Sequence, residues 1–149
     1  MTQRIARETS YQLQPALLSG LYSLDKAASQ GLPPLLVHLV KLRVSQLNGC
    51  AFCLHMHTTE ARNDGEQQQR LDLLSAWVDV PELFSTAEQA ALHWAEKLTL
   101  LASQRPSEAD YQRVSSQFND KQLVDLTALV MSINAWNRLA VGLHFQPGR

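Results

Sequence analysis

The chain has 149 residues, a formal net charge of −1, 45% hydrophobic residues and 18% charged residues. This length suits a single domain with a substantial core, and the composition excludes a disordered chain. Because the charge is nearly balanced and no basic run occurs, we expect no nucleic-acid partner.

The N-terminal sequence shows no targeting or membrane segment. Residues 1–10, MTQRIARETS, contain arginines without the following apolar segment that secretory signals have. The longest apolar run, LPPLLVHLV at residues 32–40, is too short to span a bilayer. We therefore expect a cytoplasmic protein with no membrane contact, in a compartment where thiols are normally reduced.

The pattern predicts helices along the whole chain, because helix-forming residues dominate and no segment alternates apolar and polar residues for long. In chain order, the predicted helices cover residues 14–31, 33–49, a segment from Cys50 to Asp64, 66–78, 85–102, 108–118 and 120–143. Ser85, with Glu88 three residues on, has the spacing of a capping box, and Ser107 and Asn119 are candidate N-caps. These elements form one all-helical domain over residues 1–149.

The predicted helix at residues 33–49 begins at a proline pair and ends at Asn48-Gly49. Its apolar positions nearly encircle it, so we expect it to be deeply buried. The polar exceptions include His38, Lys41 and Ser45, which are spaced three and four residues apart on one narrow stripe. The position of His38 on this stripe leaves two interpretations open: it is either a functional residue or an ordinary core histidine.

The two cysteines of the chain lie in the sequence CAFCLHMH, at positions 50 and 53. Because Asn48-Gly49 is a turn pair, Cys50 falls near a helix N-terminus, where the helix dipole favours a thiolate. His57 follows Cys53 by four residues on the same helix face, so its imidazole could accept the thiol proton. The spacing of the cysteines also permits a disulfide between them. Redox chemistry is the leading interpretation.

Two other interpretations of this segment remain open. Cysteine is among the most buried residue types, so the pair could simply pack in a core. Cys50, Cys53 and His57 could also bind a metal with His38 or His93, although a structural zinc takes four ligands in a tetrahedral array. The sequence carries no signature of a bound cofactor, so electrons would arrive through thiols.

The segment LVKLRVSQLNGCAFCLHMHTTEARNDG, residues 39–65, resembles the core of the alkylhydroperoxidase D-like proteins, within the carboxymuconolactone decarboxylase superfamily. The matching residues are Leu42, Arg43, Val44, Ser45, Asn48, Gly49, Cys50, Cys53, His57, Ala61 and Gly65. Residues 84–99 and 133–142 also look like later segments of the family. The resemblance therefore covers most of the chain.

The resemblance implies an all-helical fold that assembles as a homo-oligomer, a trimer or a hexamer, and that reduces hydroperoxides with no bound cofactor. One thiolate attacks the peroxide and becomes a sulfenic acid, and the second thiol then condenses with it to a disulfide. By analogy with the family we assign Cys53 as the attacking thiol, because His57 lies on its face, and Cys50 as the resolving thiol. The opposite assignment stays open, because Cys50 has the better position relative to the helix dipole. An external dithiol, of the lipoyl type or on a thiol reductant protein, would reduce the disulfide.

In the family, the proton relay commonly has a glutamate twelve residues before the first cysteine, and His38 occupies that position here. An imidazole can still pass a proton, but it cannot supply the same negative charge. We therefore predict a catalytic site made of Cys50, Cys53, His57 and His38, without a metal, in an antioxidant hydroperoxide reductase. The alternatives are a metal-binding or oligomeric interaction domain of the same fold, and a decarboxylase of the wider superfamily.

Overall fold

The computed structural model describes residues 4–148, and within them the chain forms helices and turns but no β-strand. The helices are α1 (Arg7–Leu13), α2 (Pro15–Gln30), α3 (Pro34–Asn48), α4 (Ala51–Asn63), α5 (Gln68–Leu73), α6 (Thr86–Thr99), α7 (Glu108–Ser115) and α8 (Asp120–Leu143). Two short 3-10 helices, Leu74–Asp79 and Pro81–Leu83, lie between α5 and α6. The prediction of an all-helical fold is confirmed.

The third helix is the centre of the bundle and packs against α4, α6 and α8. Leu39, Val40 and Val44 of α3 are completely shielded from solvent. Val40 and Val44 join a core cluster with Ile133 of α8, whereas Leu39 joins a second cluster with Leu74. Burying each such side chain stabilises the fold by roughly 1.5–3 kcal/mol. The deep burial expected for this helix is observed.

The turn between α3 and α4 determines where the cysteine segment begins. Gly49 has a φ of 64°, a left-handed conformation that glycine adopts at little cost, and it ends α3. The backbone N–H of Cys50 donates to the carbonyl of Ser45 at 3.0 Å. The chain is extended at Cys50, and α4 begins at the next residue. Cys50 therefore lies at a helix N-terminus, as the turn pair predicts.

A buried polar network ties this turn to α8. Asn137 is 1% exposed, and its Nδ2 donates to Ser45 Oγ at 3.0 Å. Asn48 Nδ2 donates to Asn137 Oδ1 and to Asn134 Oδ1, both at 3.0 Å. Because a buried amide costs free energy unless it is hydrogen-bonded, these contacts favour one position of the turn relative to α8.

The predicted N-terminal caps are present. Ser85 Oγ accepts from the backbone N–H of Glu88 at 3.1 Å, and the Glu88 carboxylate accepts from the backbone N–H of Ser85 at 3.1 Å. Ser107 and Asn119 cap α7 and α8 with the same reciprocal arrangement. None of the helices between residues 4 and 148 is both long and apolar enough to cross a membrane.

The segment predicted as one helix over residues 66–78 changes its geometry part-way. Its α-helix ends at residue 73, and a 3-10 helix follows in which Ala76 has a φ of −117° and a ψ of 27°. The tighter winding brings the buried residues Leu74 and Trp77, three positions apart, to one side. The Trp77 indole N–H also donates to Glu96 Oε1 at 2.7 Å. Tertiary packing therefore overrides the local helix preference.

A short helix, α1, forms where the sequence predicts none. The backbone N–H of Arg4 donates to the Leu143 carbonyl at 3.2 Å, and Arg4 Nη1 donates to the Gly142 carbonyl at 3.0 Å. The Tyr11 ring packs edge-on against Phe145, with 6.5 Å between the ring centroids. Because such a short helix depends on contacts with the far end of the chain, the local sequence carries little signal for it.

Candidate active site

Cys50 and Cys53 form a disulfide across the first turn of α4. Their Cα atoms are 5.3 Å apart, within the usual range for a disulfide. Cys50 is the N-cap of the helix, and its Sγ accepts from the backbone N–H of Cys53 at 3.3 Å. Both side chains are almost completely buried. The structure therefore brings the two cysteines together at a helix N-terminus.

A cavity of about 280 Å³ opens beside Cys53. Five residues of α4 line one side of it, and they include the chemically reactive side chains of Cys53, His57 and Glu60. Apolar and aromatic side chains from the ends of the chain and from α2 form much of the remaining wall: Tyr11, Leu18, Tyr22, Trp136, Ala140 and Phe145. Within residues 4–148, Cys50 does not line this cavity, so Cys53 is the sulfur that a bound molecule would contact.

The imidazole of His57 pairs with a carboxylate one turn further along α4. Its Nδ1 lies 2.9 Å from Glu60 Oε2, and the side chains are 6% and 48% exposed, respectively. The hydrogen bond from His57 lowers the pKa of Glu60 and outweighs the raising effect of burial. Because an ionised carboxylate only accepts hydrogen bonds, Nδ1 of the ring is the donor in this contact, and Nε2 is left as the ring atom that can exchange a proton with another group.

The stripe of His38, Lys41 and Ser45 is divided among three environments. His38 Nε2 lies 2.6 Å from Asp64 Oδ2, and within the described residues its buried Nδ1 has no hydrogen-bond partner. Lys41 reaches the cavity and pairs with Asp25 of α2, with 2.8 Å between Nζ and Oδ1. Ser45 belongs to the polar network with α8. The three residues therefore lie on one stripe of α3 but do not form a single site.

Within residues 4–148, His38 is not among the residues that line the cavity. After the hydrogen bond from His57, charge interactions with Lys41 and His38 make the smallest contributions to the lowered pKa of Glu60. His38 is thus close enough to Glu60 to affect its charge, while its own hydrogen bond goes to Asp64. Its part in the proton relay stays a prediction.

The model of the carboxymuconolactone decarboxylase family matches residues 15–97, which contain both cysteines and the His57–Glu60 pair. The chain belongs to this family. The uncharacterized protein YdfG of Bacillus subtilis is 37% identical over 144 residues, which are 96% of this chain and 95% of that protein.

Solved structures agree with this assignment. A protein of unknown function from Agrobacterium tumefaciens, proposed to be the antioxidant defence protein AhpD, superimposes with a TM-score of 0.92 at 33% identity over 99% of each chain. An uncharacterized peroxidase-related protein from Silicibacter sp. TM1040 shares the fold, with a TM-score of 0.81 at 23% identity over 94% of this chain and 74% of that one. The predicted resemblance to alkylhydroperoxidase D-like proteins of the carboxymuconolactone decarboxylase family is confirmed.

Sequence reasoning did not single out two ionic features of this family member. Glu60 lies three residues after His57 in the same helix, and this spacing is a signal that could have identified the pair. The sequence pattern marks Lys41 as a polar position on α3, but its partner Asp25 comes from α2, sixteen residues earlier. No local pattern connects those two positions, because the pairing depends on how α2 packs near α3.

The structure gives no support to the alternative of a metal site in this family member. In the part of the chain that the structure describes, no three histidine, cysteine, aspartate or glutamate side chains are grouped so that they could hold a metal ion. The two histidines that could supply the fourth ligand of such a site pair with aspartates instead, His38 with Asp64 and His93 with Asp110. The arrangement at α4 is a disulfide beside an imidazole–carboxylate pair.

Proposed function

We propose that this member of the family is a thiol-dependent hydroperoxide reductase with an antioxidant role. The main supporting observation is that Cys53 and the His57–Glu60 pair line the same cavity. Cys50 forms the disulfide with Cys53 but is not among the described residues that line the cavity. A reachable sulfur beside a proton acceptor can react as a thiolate. The second sulfur stands where it can displace the oxygen that the first one acquires.

The cycle starts from the reduced form, in which Cys50 and Cys53 are both thiols. The Cys53 thiolate attacks the terminal oxygen of the hydroperoxide ROOH, the O–O bond breaks, and the departing alkoxide takes a proton and leaves as ROH. Cys53 becomes a sulfenic acid. The Cys50 thiol then attacks the Cys53 sulfur, so the disulfide forms and the sulfenic oxygen leaves as water. The two electrons that reduce the peroxide come from the two thiols.

The His57–Glu60 pair supplies the proton transfers of this cycle. His57 Nε2 accepts the proton of the Cys53 thiol, and the Glu60 carboxylate on Nδ1 stabilises the imidazolium that results. The same proton then passes to the alkoxide. The N-terminus of α4 also favours negative charge on a sulfur in its first turn. We place His38 at the outer end of the relay, because its charge interaction with Glu60 contributes to the lowered pKa of that carboxyl.

An external dithiol restores the thiols. One of its thiolates attacks Cys53 through the cavity and releases Cys50, and its second thiolate then displaces Cys53, so that the donor leaves as a disulfide. We propose a donor of the lipoyl type or a thiol reductant protein. The apolar wall beside Cys53, which includes Trp136 and Phe145, suits the hydrocarbon chain of a lipoyl group. Such a donor is available in the cytoplasm, where we place the protein.

We also propose that the protein is a homo-oligomer, a trimer or a hexamer. Support comes from α8, on which Val124, Met131 and Val141 are 67%, 59% and 47% exposed. Several large apolar side chains exposed along one helix are more typical of a subunit contact than of a free surface.

The test is hydroperoxide consumption with dithiothreitol or dihydrolipoamide as the electron donor. Cys53→Ser should abolish turnover. Once it has been reduced and the donor removed, Cys50→Ser should still reduce one equivalent of peroxide per chain and leave a sulfenic acid on Cys53, which dimedone traps for mass spectrometry. His57→Ala should lose at least roughly a hundredfold in kcat/KM, the usual size of a general acid–base contribution. The matched control is His55→Ala, because His55 is exposed on the same helix.

Two results would contradict the proposal. A sulfenic acid trapped on Cys50 in the Cys53→Ser variant would reverse the roles of the two sulfurs. If folded, reduced protein consumes no hydroperoxide with either donor, the family member is instead an interaction domain in which the disulfide is structural.

A further inference from the structure

The reacting groups and part of the cavity wall come from different regions of the chain. All the reacting groups lie within residues 15–97, which the family model matches. Arg7 and Tyr11 of α1 and Phe145 of the C-terminal segment also line the cavity, and they lie outside that region. Side chains that surround the reacting sulfur without taking part in the chemistry are candidates for selecting the substrate.

Arg7 differs from the other ionic residues of the cavity in how its charge is balanced. Lys41 and Glu60 have partners of opposite charge at 2.8 and 2.9 Å. Arg7 Nη1 lies 3.9 Å from Glu8 Oε1, at the outer limit of an ion pair, and the Glu8 side chain is 74% exposed. Water largely screens a pair of this kind. The guanidinium of Arg7 is therefore available to a bound anion.

Two aromatic rings contact the Arg7 guanidinium at the cavity that Cys53 also lines. Its Cζ lies 5.5 Å from the centroid of the Tyr11 ring and 5.3 Å from that of Phe52. Phe52 directly precedes Cys53 in α4 and packs edge-on against Phe145, with 5.8 Å between the centroids. A guanidinium held against rings keeps its planar N–H edge free for two parallel hydrogen bonds to a carboxylate.

We infer that Arg7 is a specificity-determining residue, and that the preferred substrate is an organic hydroperoxide that carries a carboxylate on an apolar body. This inference rests on the proposed hydroperoxide reductase function. The carboxylate binds the Arg7 guanidinium, the apolar body packs against the rings of Tyr11 and Phe145, and the hydroperoxide group meets Cys53. A cavity of about 280 Å³ is small for a ligand site, so it takes a compact aryl carboxylic acid or one end of a longer fatty acid.

The experiment compares two hydroperoxides that differ in one carboxylate: cumene hydroperoxide and its 4-carboxylate derivative. Dithiothreitol, which is uncharged, serves as the donor throughout, so that any charge effect belongs to the hydroperoxide. In wild-type protein, kcat/KM should be about tenfold higher for the carboxylate, the size expected of one charge-assisted interaction. Raising the salt concentration should reduce this preference, because the Arg7 site is partly exposed.

Arg7→Gln should raise KM for the carboxylate by about tenfold, so that the ratio of the two kcat/KM values falls to about one. Arg7→Lys, which keeps the charge but not the planar fork, should keep part of the preference. The matched control is Arg105→Gln, because Arg105 is exposed on the loop before α7. Equal kcat/KM values for the two substrates in wild type, or an unchanged preference in Arg7→Gln, would overturn the inference.

A binding measurement separates this inference from the proposed function. The unreactive analogue 4-isopropylbenzoate should bind the disulfide form of wild-type protein by calorimetry, and it should bind Arg7→Gln about tenfold more weakly. If no hydroperoxide is consumed but this difference appears, the reductase proposal fails and the anion site stands. If hydroperoxides are consumed and the analogue binds both proteins equally, the anion site fails and the reductase proposal stands.

Discussion

His57 Nδ1 lies 2.9 Å from Glu60 Oε2, one turn apart on α4. The imidazole is almost fully buried, whereas the carboxylate is about half exposed. The pair therefore connects the interior of the cavity to solvent. An ionised carboxylate at this position fixes the tautomer of the ring and stabilises its charged form. The reactivity of Cys53 should consequently depend on a residue that does not touch the sulfur.

Glu60→Gln should slow the reaction of Cys53 without changing the fold. The amide cannot stabilise the imidazolium, so less of the thiol is ionised, and we expect alkylation of reduced Cys53 by iodoacetamide to slow by roughly tenfold at neutral pH. The measurement is the alkylation rate followed by mass spectrometry. Glu82→Gln, at an exposed position far along the chain, should leave the rate unchanged. Equal rates in wild type and Glu60→Gln would exclude this role for the carboxylate.

Asn137→Ala should destabilise the protein and loosen the turn before Cys50. The substitution removes one hydrogen bond from the fully buried Ser45 Oγ and one from the half-buried Asn48 Nδ2, so we expect a loss of about 2–3 kcal/mol in the free energy of unfolding. Urea denaturation measures it. Asn63→Ala, at an exposed position, should change stability by less than about 0.5 kcal/mol. If Asn137→Ala also changed stability by less than about 0.5 kcal/mol, the network would not hold the turn.

The parts of the fold that depend on local chemistry could be predicted from the sequence. The capping box at Ser85, the caps at Ser107 and Asn119, and the turn at Gly49 follow from short-range hydrogen bonds and from backbone preference. Each of these signals lies within a few residues of the position that it marks, so no knowledge of the packing is needed. The burial of α3 was equally predictable, because apolar side chains occur on all its sides.

The parts that depend on distant packing could not be predicted. Contacts with the C-terminal end of the chain hold α1 in place. The 3-10 helix Leu74–Asp79 depends on the buried indole of Trp77 and its hydrogen bond to Glu96. The same limit applies to the site. The closeness of Cys50, Cys53 and His57 follows from helix spacing, whereas the cavity beside Cys53 also needs side chains from four other helices, α1, α2, α3 and α8.

His38→Gln tests whether His38 acts through Glu60. His38 favours the ionised form of Glu60 by its charge, so we expect the substitution to slow peroxide reduction by about threefold, the effect of one partly exposed charge. In a Glu60→Gln background the same substitution should have no further effect. The measurement is a double-mutant cycle on kcat/KM. An equal loss in both backgrounds would place His38 on a path that does not include Glu60.

The ion pair between α6 and α7 predicts how stability depends on pH. His93 Nε2 lies 2.6 Å from Asp110 Oδ1, and the backbone N–H of Ser107 donates to Oδ2 of the same carboxylate at 2.8 Å. These hydrogen bonds, that of His93 first, hold the pKa of Asp110 well below its ordinary range. A carboxyl with a lowered pKa in the folded state stabilises the protein above its unfolded pKa of about 3.9, and this contribution is lost as the pH falls below it.

Wild type should therefore be more stable than Asp110→Asn at pH 6, and the difference should shrink steadily below about pH 4. Urea denaturation between pH 3 and pH 7 measures the difference. Asp79→Asn, at an exposed position, is the matched control and should follow wild type over the whole range. A difference between wild type and Asp110→Asn that does not change with pH would show that the carboxylate acts as an uncharged helix cap, and that its pairing with His93 adds nothing to stability.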